Sequence, residues 1–222
     1  MTISLGFDIY GTLIDPHGVT VKLGELIGDQ APAFSKLWRE KQLEYTFRRG
    51  LMRDYENFPV CTRNALDYAD AVFKTNINEV DKQTLMQVYR VLPAYDDVPE
   101  ALAKIRAAGF CMYGFSNGVA EAVSGLLEHA GIAEYFDGVV SVDDIKTFKP
   151  DPAVYRHFVD STGGNKSNTW LVSSNPFDVQ GAIQFGMQAA WLHRFKDVVF
   201  DPWGIEPTIV MDDLLEIIER VK

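Results

Sequence analysis

Hydrophobic and polar positions follow two textures along this chain. The first apolar run, residues 3–9, is β-prone and carries Asp8 at its end, and a turn-rich stretch containing Asp15-Pro16 follows it over residues 11–18. From Val19 to about Val91 the pattern is helical. Phe34, Leu37, Trp38, Lys41 and Tyr45 recur at i, i+3, i+4 spacing and draw one apolar stripe, with Lys41 along its edge. Asn64, Leu66, Tyr68 and Phe73 belong to a second helix and residues 85–91 to a third. After Pro93 the texture changes. Short apolar runs at 110–115, 139–142, 170–172 and 189–192 alternate with helical patterns at 98–108, 118–129, 152–159 and 179–185. That alternation predicts an α/β fold, a doubly wound parallel sheet covered on both faces. The helical stretch would interrupt it after the first strand, leaving a core of residues 1–15 and 93–222 around an inserted helical domain of residues 16–92.

Composition narrows the function classes. A chain of 222 residues with 47% hydrophobic positions can build a full core. Lys plus Arg number 21 against 31 Asp plus Glu, a net charge of −10, so nucleic acid and anionic membranes are poor partners. Cys61 and Cys111 form no CxxC pair and demand no oxidising compartment. The start MTISLGFDIYG lacks the basic, apolar character of a signal peptide, and no run approaches the roughly 20 apolar residues of a membrane span. The expectation is a cytoplasmic enzyme.

In an open parallel sheet, ligands bind beyond the carboxyl ends of the strands. Four stretches fall there: Phe7 to Thr12, Phe115 to Gly118, Thr147 to Pro150, and Val172 to Asp178. Each has an ordinary explanation. Asp8 could be a turn residue, although a carboxylate at an apolar strand end is costly to bury without a partner. Ser116-Asn117-Gly118 suits a helix N-cap, Lys149 a solvated position before Pro150 at N1, and Asp178 the first turn of a helix. Taken together they assemble two carboxylates, a lysine and small hydroxyl and amide groups. A lysine facing Asp8 would balance its charge as an anionic substrate approaches, the setting for nucleophilic catalysis by carboxylate.

The segments FDIYGTLID, SNG, FKPDP and SSNPFD resemble, in order and spacing, the four motifs of the haloacid dehalogenase superfamily. LWREKQLEYTFRRGLM, residues 37–52, is similar to the cap helix of its L-2-haloacid dehalogenase branch. The resemblance implies a Rossmann-like core with a helical cap and no cofactor or metal. Many superfamily members are magnesium-dependent phosphatases, the main rival reading. Their first motif has Asp-x-Asp, but the second place here is Tyr10, and their Gly-Asp in the fourth motif is Ser174-Asn175. Losing those acids removes charge that a hard divalent ion favours, and removes the proton donor that a phosphate ester needs and a halide does not. A silent binding module on the same fold is a third reading. A nucleotide-dependent oxidoreductase fits less well, because Gly6 to Gly11 is not GxGxxG.

The resemblance also implies roles. Asp8 would displace halide from a small 2-halo acid with inversion, and water would hydrolyse the resulting ester. Thr12, Ser173 and Lys149 would orient and charge-balance Asp8. Asp178 and Asn175 would place the water, and the residues alone leave the base open. Arg39, Asn117 and Phe58 would cradle the halide, while Ser116 would hold the substrate carboxylate with N–H groups of the following helix. Tyr10, Leu43 and Phe177 would wall the alkyl group, and Tyr155 would contact the lysine. Core packing would equally explain Phe58, Tyr155 and Phe177. Related dehalogenases often carry Trp at the Phe177 place, so the smaller ring bears on substrate size. Members of this branch are commonly dimers, and a homodimer is expected.

Overall fold

The computed structural model describes residues 2–221, so Met1 and Lys222 of the expected core lie outside the described residues. Six strands form one sheet: β1 (Ser4–Phe7), β2 (Cys111–Ser116), β3 (Gly138–Ser141), β4 (Thr169–Ser173), β5 (Gln188–Leu192) and β6 (Ile209–Met211). Their order is β3-β2-β1-β4-β5-β6 and every pairing is parallel. The order reverses between β1 and β4, which opens the crevice where such sheets hold ligands. β1 and β4 are buried at every position, as central strands covered on both faces should be.

Nine α-helices and four short 3-10 helices complete the described chain, the α-helices being α1 (Thr20–Ile27), α2 (Ala31–Met52), α3 (Phe58–Phe73), α4 (Glu79–Val88), α5 (Val98–Ala107), α6 (Ala120–His129), α7 (Pro152–Ser161), α8 (Pro176–Phe185) and α9 (Glu216–Arg220). Leu5 and Phe7 pack on one face of the sheet with Leu102, Ile105, Val123 and Leu127. Phe115 and Leu171 pack on the other with Phe158, Val179 and Ala182. The buried helical residues Phe34, Trp38, Leu66, Leu85 and Tyr89 continue the first cluster. Close approach accounts for Gly6, where a Cβ would stand 2.6 Å from the Phe158 ring.

The helical stretch leaves and rejoins the sheet at one place. Asp15 N–H donates to Pro93 O and Tyr95 N–H to Leu13 O, both at 3.0 Å, and Ile14 bridges Ala94. Several expected bounds shift. The third helix begins at Glu79 rather than near Leu85, because the Asn78 side chain caps it by accepting from Asp81 N–H. Val142 leaves its strand for a short 3-10 turn. β6 and α9 were not expected, being too short to show a period.

Candidate active site

Asp8 follows β1 directly, and its own N–H prolongs the ladder to β4 by donating to Val172 O at 2.9 Å. The chain then turns sharply through Gly11, at φ 89°, which brings Thr12 back over the carboxylate. Thr12 Oγ1 donates to Asp8 Oδ2 at 2.8 Å, and Asn175 Nδ2 donates to the same oxygen at 2.7 Å. Asp8 Oδ1 accepts only from Lys149 Nζ, at 3.2 Å. The carboxylate is thus held by three donors from three segments while remaining 8% exposed.

Lys149 is no solvated lysine. It is 1% exposed, and its ammonium spends its three protons on Asp8, Phe115 O at 2.8 Å and Asp178 Oδ2 at 2.7 Å. Burial works against its charge, but Asp178 and Asp8 outweigh burial and raise its pKa. Asp178, in the first turn of α8, is fully buried. Burial, reinforced by Asp8 and only partly offset by Lys149, pushes its carboxyl up to about 6.

Some expected partners differ. Tyr155 was expected to touch the lysine; its hydroxyl donates to Asp178 Oδ1 at 2.8 Å, on the carboxylate that Lys149 also bonds. A buried hydroxyl needs an acceptor for its proton, and an ammonium offers none. Burial and Asp178 raise the Tyr155 pKa well above the usual phenol value. Ser173 Oγ accepts from Asn175 N–H at 3.1 Å, so it steadies Asn175 and stands one step back from Asp8. Ser116 does not cap α6, whose N-cap is Val119; instead its Oγ accepts from Gly118 N–H at 3.0 Å within the turn before that helix. Asn117 Oδ1 accepts from Lys149 N–H at 3.0 Å, which turns its amide donors away from that bond.

The aromatic residues divide between two places. Tyr10 lies between Phe58 and Tyr89, with ring centroids 5.5 and 5.9 Å away. Phe177 meets Phe47 edge-on at 5.0 Å instead. Arg39 reaches from α2 to the loop after β1, where its Nη2 donates to Tyr10 O at 3.1 Å. Leu43 is half-buried one helical turn beyond Arg39. A cavity of about 580 Å³ lies beside this centre, and Lys149 and Phe177 line it while Asp8 does not. Sequence reasoning missed Gln42, fully buried on α2 with its amide against Arg39. The signal was present, because Gln42 continues the i+4 row of Phe34 and Trp38.

Asn175 also donates to Tyr10 O at 3.1 Å. One amide therefore directs N–H donors at a carboxylate oxygen and a backbone carbonyl, the kind of oxygens a hard cation would seek. The centre presents a nucleophilic carboxylate, a fixed positive charge and a second carboxylate of raised basicity, which suits displacement followed by hydrolysis.

Comparison with known proteins gives a consistent match. A family model described as haloacid dehalogenase-like hydrolase matches residues 5–186. The chain is 34% identical to an (S)-2-haloacid dehalogenase of Pseudomonas sp. (strain YL), over 97% of this chain and 92% of that one. It is equally 34% identical to haloacetate dehalogenase H-2 of Moraxella sp. (strain B), over 97% of both. The solved L-2-haloacid dehalogenase of Xanthobacter autotrophicus, with chloropropionic acid covalently bound, superposes with a TM-score of 0.92. That match spans 99% of this chain and 98% of that one at 28% identity.

Proposed function

Since the chain belongs to the haloacid dehalogenase-like hydrolases, we propose that it converts short (S)-2-haloalkanoic acids to (R)-2-hydroxy acids and halide. Asp8 Oδ1, which carries the single longer hydrogen bond, has the freer lone pair and is the attacking atom. It bonds to C2 from the side opposite the halogen, the carbon–halogen bond breaks with its electron pair on the halide, and the configuration inverts. Water then adds to the Asp8 carboxyl carbon of the ester. Asp178 takes the water proton and returns it to the departing alkoxide oxygen as the tetrahedral intermediate collapses, which releases the hydroxy acid, and the second water proton leaves as the Asp8 carboxylate is regenerated. Net, halo acid and water give hydroxy acid, halide and one proton. Lys149 balances charge throughout, Thr12 and Asn175 fix Asp8, and Tyr155 and Ser173 hold Asp178 and Asn175.

Arg39, Asn117 and Phe58 form the halide cradle, Ser116 takes the substrate carboxylate, and Tyr10, Leu43 and Phe177 bound the alkyl group. Residues 16–92 serve as the cap that closes this site. The single observation that carries the reading is the Asn175 amide, which donates to Asp8 Oδ2 and Tyr10 O where a phosphatase of this family would need acids for a metal. A homodimer and a cytoplasmic setting belong to the same proposal. Exposed Leu51 and Met52 at the end of α2 support the first, and two unpaired thiols the second.

The test is halide release from both enantiomers of 2-chloropropionate in the presence of a chelator, beside Asp8→Asn. Release from the (S) enantiomer, lost in Asp8→Asn, is expected. Inactivity on both enantiomers and on their bromo and fluoro analogues, with magnesium-dependent release of phosphate from a phosphomonoester, would overturn the reading.

A further inference from the structure

Arg39 and Phe58 sit on different helices, and one buried amide ties them together. Gln42 is fully buried on α2. Its Oε1 accepts from Arg39 Nη1 at 2.7 Å and from Tyr89 Oη at 3.2 Å, which uses both lone pairs. Its Nε2 donates to Thr62 Oγ1 at 2.6 Å on α3. Thr62 Oγ1 donates onward to the Phe58 carbonyl at 2.9 Å, and Trp38 Nε1 donates to the Thr62 carbonyl at 2.8 Å. With the bond from Arg39 to Tyr10 O, an unbroken chain of hydrogen bonds runs from the loop beside Asp8 to the start of α3.

Packing alone does not call for this arrangement. Gln42 continues the buried row of Phe34 and Trp38, where an apolar side chain of similar volume would fill the space with no amide to satisfy. What the amide adds is direction. An arginine side chain loses considerable rotamer freedom when it is fixed, and a partner that fixes it beforehand removes that loss from the substrate-binding step. Two guanidinium N–H groups are spent on Gln42 and Tyr10, and Tyr89 lies within hydrogen-bond reach of the same guanidinium, so the group is held before any anion arrives.

We infer that Gln42 is a positioning residue for the dehalogenation proposed above, its amide aiming the Arg39 guanidinium at the departing halide and setting its place relative to Phe58. The inference rests on that reading. It requires that the contribution of Gln42 grow with the need of the leaving group for stabilisation. Chloride leaves less readily than bromide, so chloride turnover depends more on the cradle.

The experiment compares kcat/KM for (S)-2-chloropropionate and (S)-2-bromopropionate in wild type, Gln42→Met, Thr62→Val and Thr62→Ser, each checked for a cooperative melt. In Gln42→Met the chloride value should fall by about tenfold to a hundredfold, the effect of losing a charge-assisted hydrogen bond, and the bromide value several-fold less. Thr62→Val should shift the ratio in the same direction, and Thr62→Ser, which keeps the hydroxyl, should hold the wild-type ratio. Equal losses on both halides in a folded Gln42→Met, or no loss, would overturn the inference. Should Gln42→Met fail to fold, Thr62→Val decides by the same ratio. Nitrogen-15 NMR of the Arg39 guanidinium provides a readout independent of turnover. Resolved Nη resonances are expected in wild type and averaged ones in Gln42→Met or, failing that, Thr62→Val; the same spectrum in wild type and variant would count against positioning. If wild type releases no halide from either substrate, the functional reading fails on its own while the spectra still judge the role of Gln42.

Discussion

At the scale of single residues, the proposed chemistry depends on how two buried carboxylates share one ammonium. Lys149 lies between Asp8 and Asp178 with all three of its protons placed, so one ammonium serves both carboxylates. Asp178→Asn removes the proposed base and leaves Lys149 on Asp8, so ester hydrolysis should be lost while ester formation continues, visible as a halide burst of one equivalent without turnover. As the proposed base, Asp178 should also set a pH limit. Burial raises its pKa to about 6, so the basic carboxylate exists above that pH and is lost as pH falls through it. Steady-state kcat should therefore fall on an acid limb as Asp178 protonates, below 6 rather than at it, because the Asp8 charge that helps raise this pKa is lost in the ester. A kcat with no acid limb would contradict this role. Lys149, with its pKa raised, contributes no titration in this range.

At the scale of elements, α7 and α8 carry Tyr155 and Asp178 and must pack closely for the two to meet. Gly181 on α8 makes this possible, since a Cβ there would run into Tyr155 Oη and stand 2.7 Å from Pro150 Cβ. Gly181→Ala should cost about 1–3 kcal/mol by overpacking, read from denaturant melts, and slow ester hydrolysis by moving Tyr155 off Asp178. Stability loss with unaltered hydrolysis would separate the two helices' packing from the site. α2 shows what an apolar stripe does and does not tell. Phe34 and Trp38 are buried as the periodicity requires, but the buried face turns through Ser35, Gln42 and Thr46, away from Lys41 and Tyr45. Hydrophobicity alone could not show this, because Ser35 and Gln42 are buried against partners on other elements and Thr46 bonds back to Leu43 O within its own helix.

At the scale of the whole molecule, the helical stretch touches the sheet domain at points remote in sequence. Tyr55, between α2 and α3, donates to Asp143 Oδ1 at 2.5 Å beyond β3, and its ring lies 4.9 Å from Phe148. Tyr55→Phe keeps the ring and removes the bond. It should lower stability by about 1 kcal/mol, or roughly 2–4 °C in Tm for a chain of this size, and raise KM more than it lowers kcat. Burial opposes the charge of Asp143, yet Lys146 and Tyr55 outweigh it and depress its pKa, so its contribution is present above the usual carboxylate range and fades as pH falls through the lowered value. The alternation of apolar runs, the helical insertion and the four polar stretches after strands were legible in the sequence, because periodicity and turn chemistry are local. Asp8, Lys149, Asn175 and Asp178 were all visible there as candidates beyond the strands, although Lys149 follows β3 only after a 3-10 turn over Val142–Ile145 and Asp178 lies in the first turn of α8. Their wiring was not: that Tyr155 bonds Asp178 and not Lys149, that Ser173 stands behind Asn175, and that Gln42 joins Arg39 to Phe58 are facts of tertiary structure. Sequence sets which groups each strand end and helix face can offer. Only the packed fold decides which of them meet, since a buried polar group takes whichever partner lies within hydrogen-bond reach, at whatever distance along the chain.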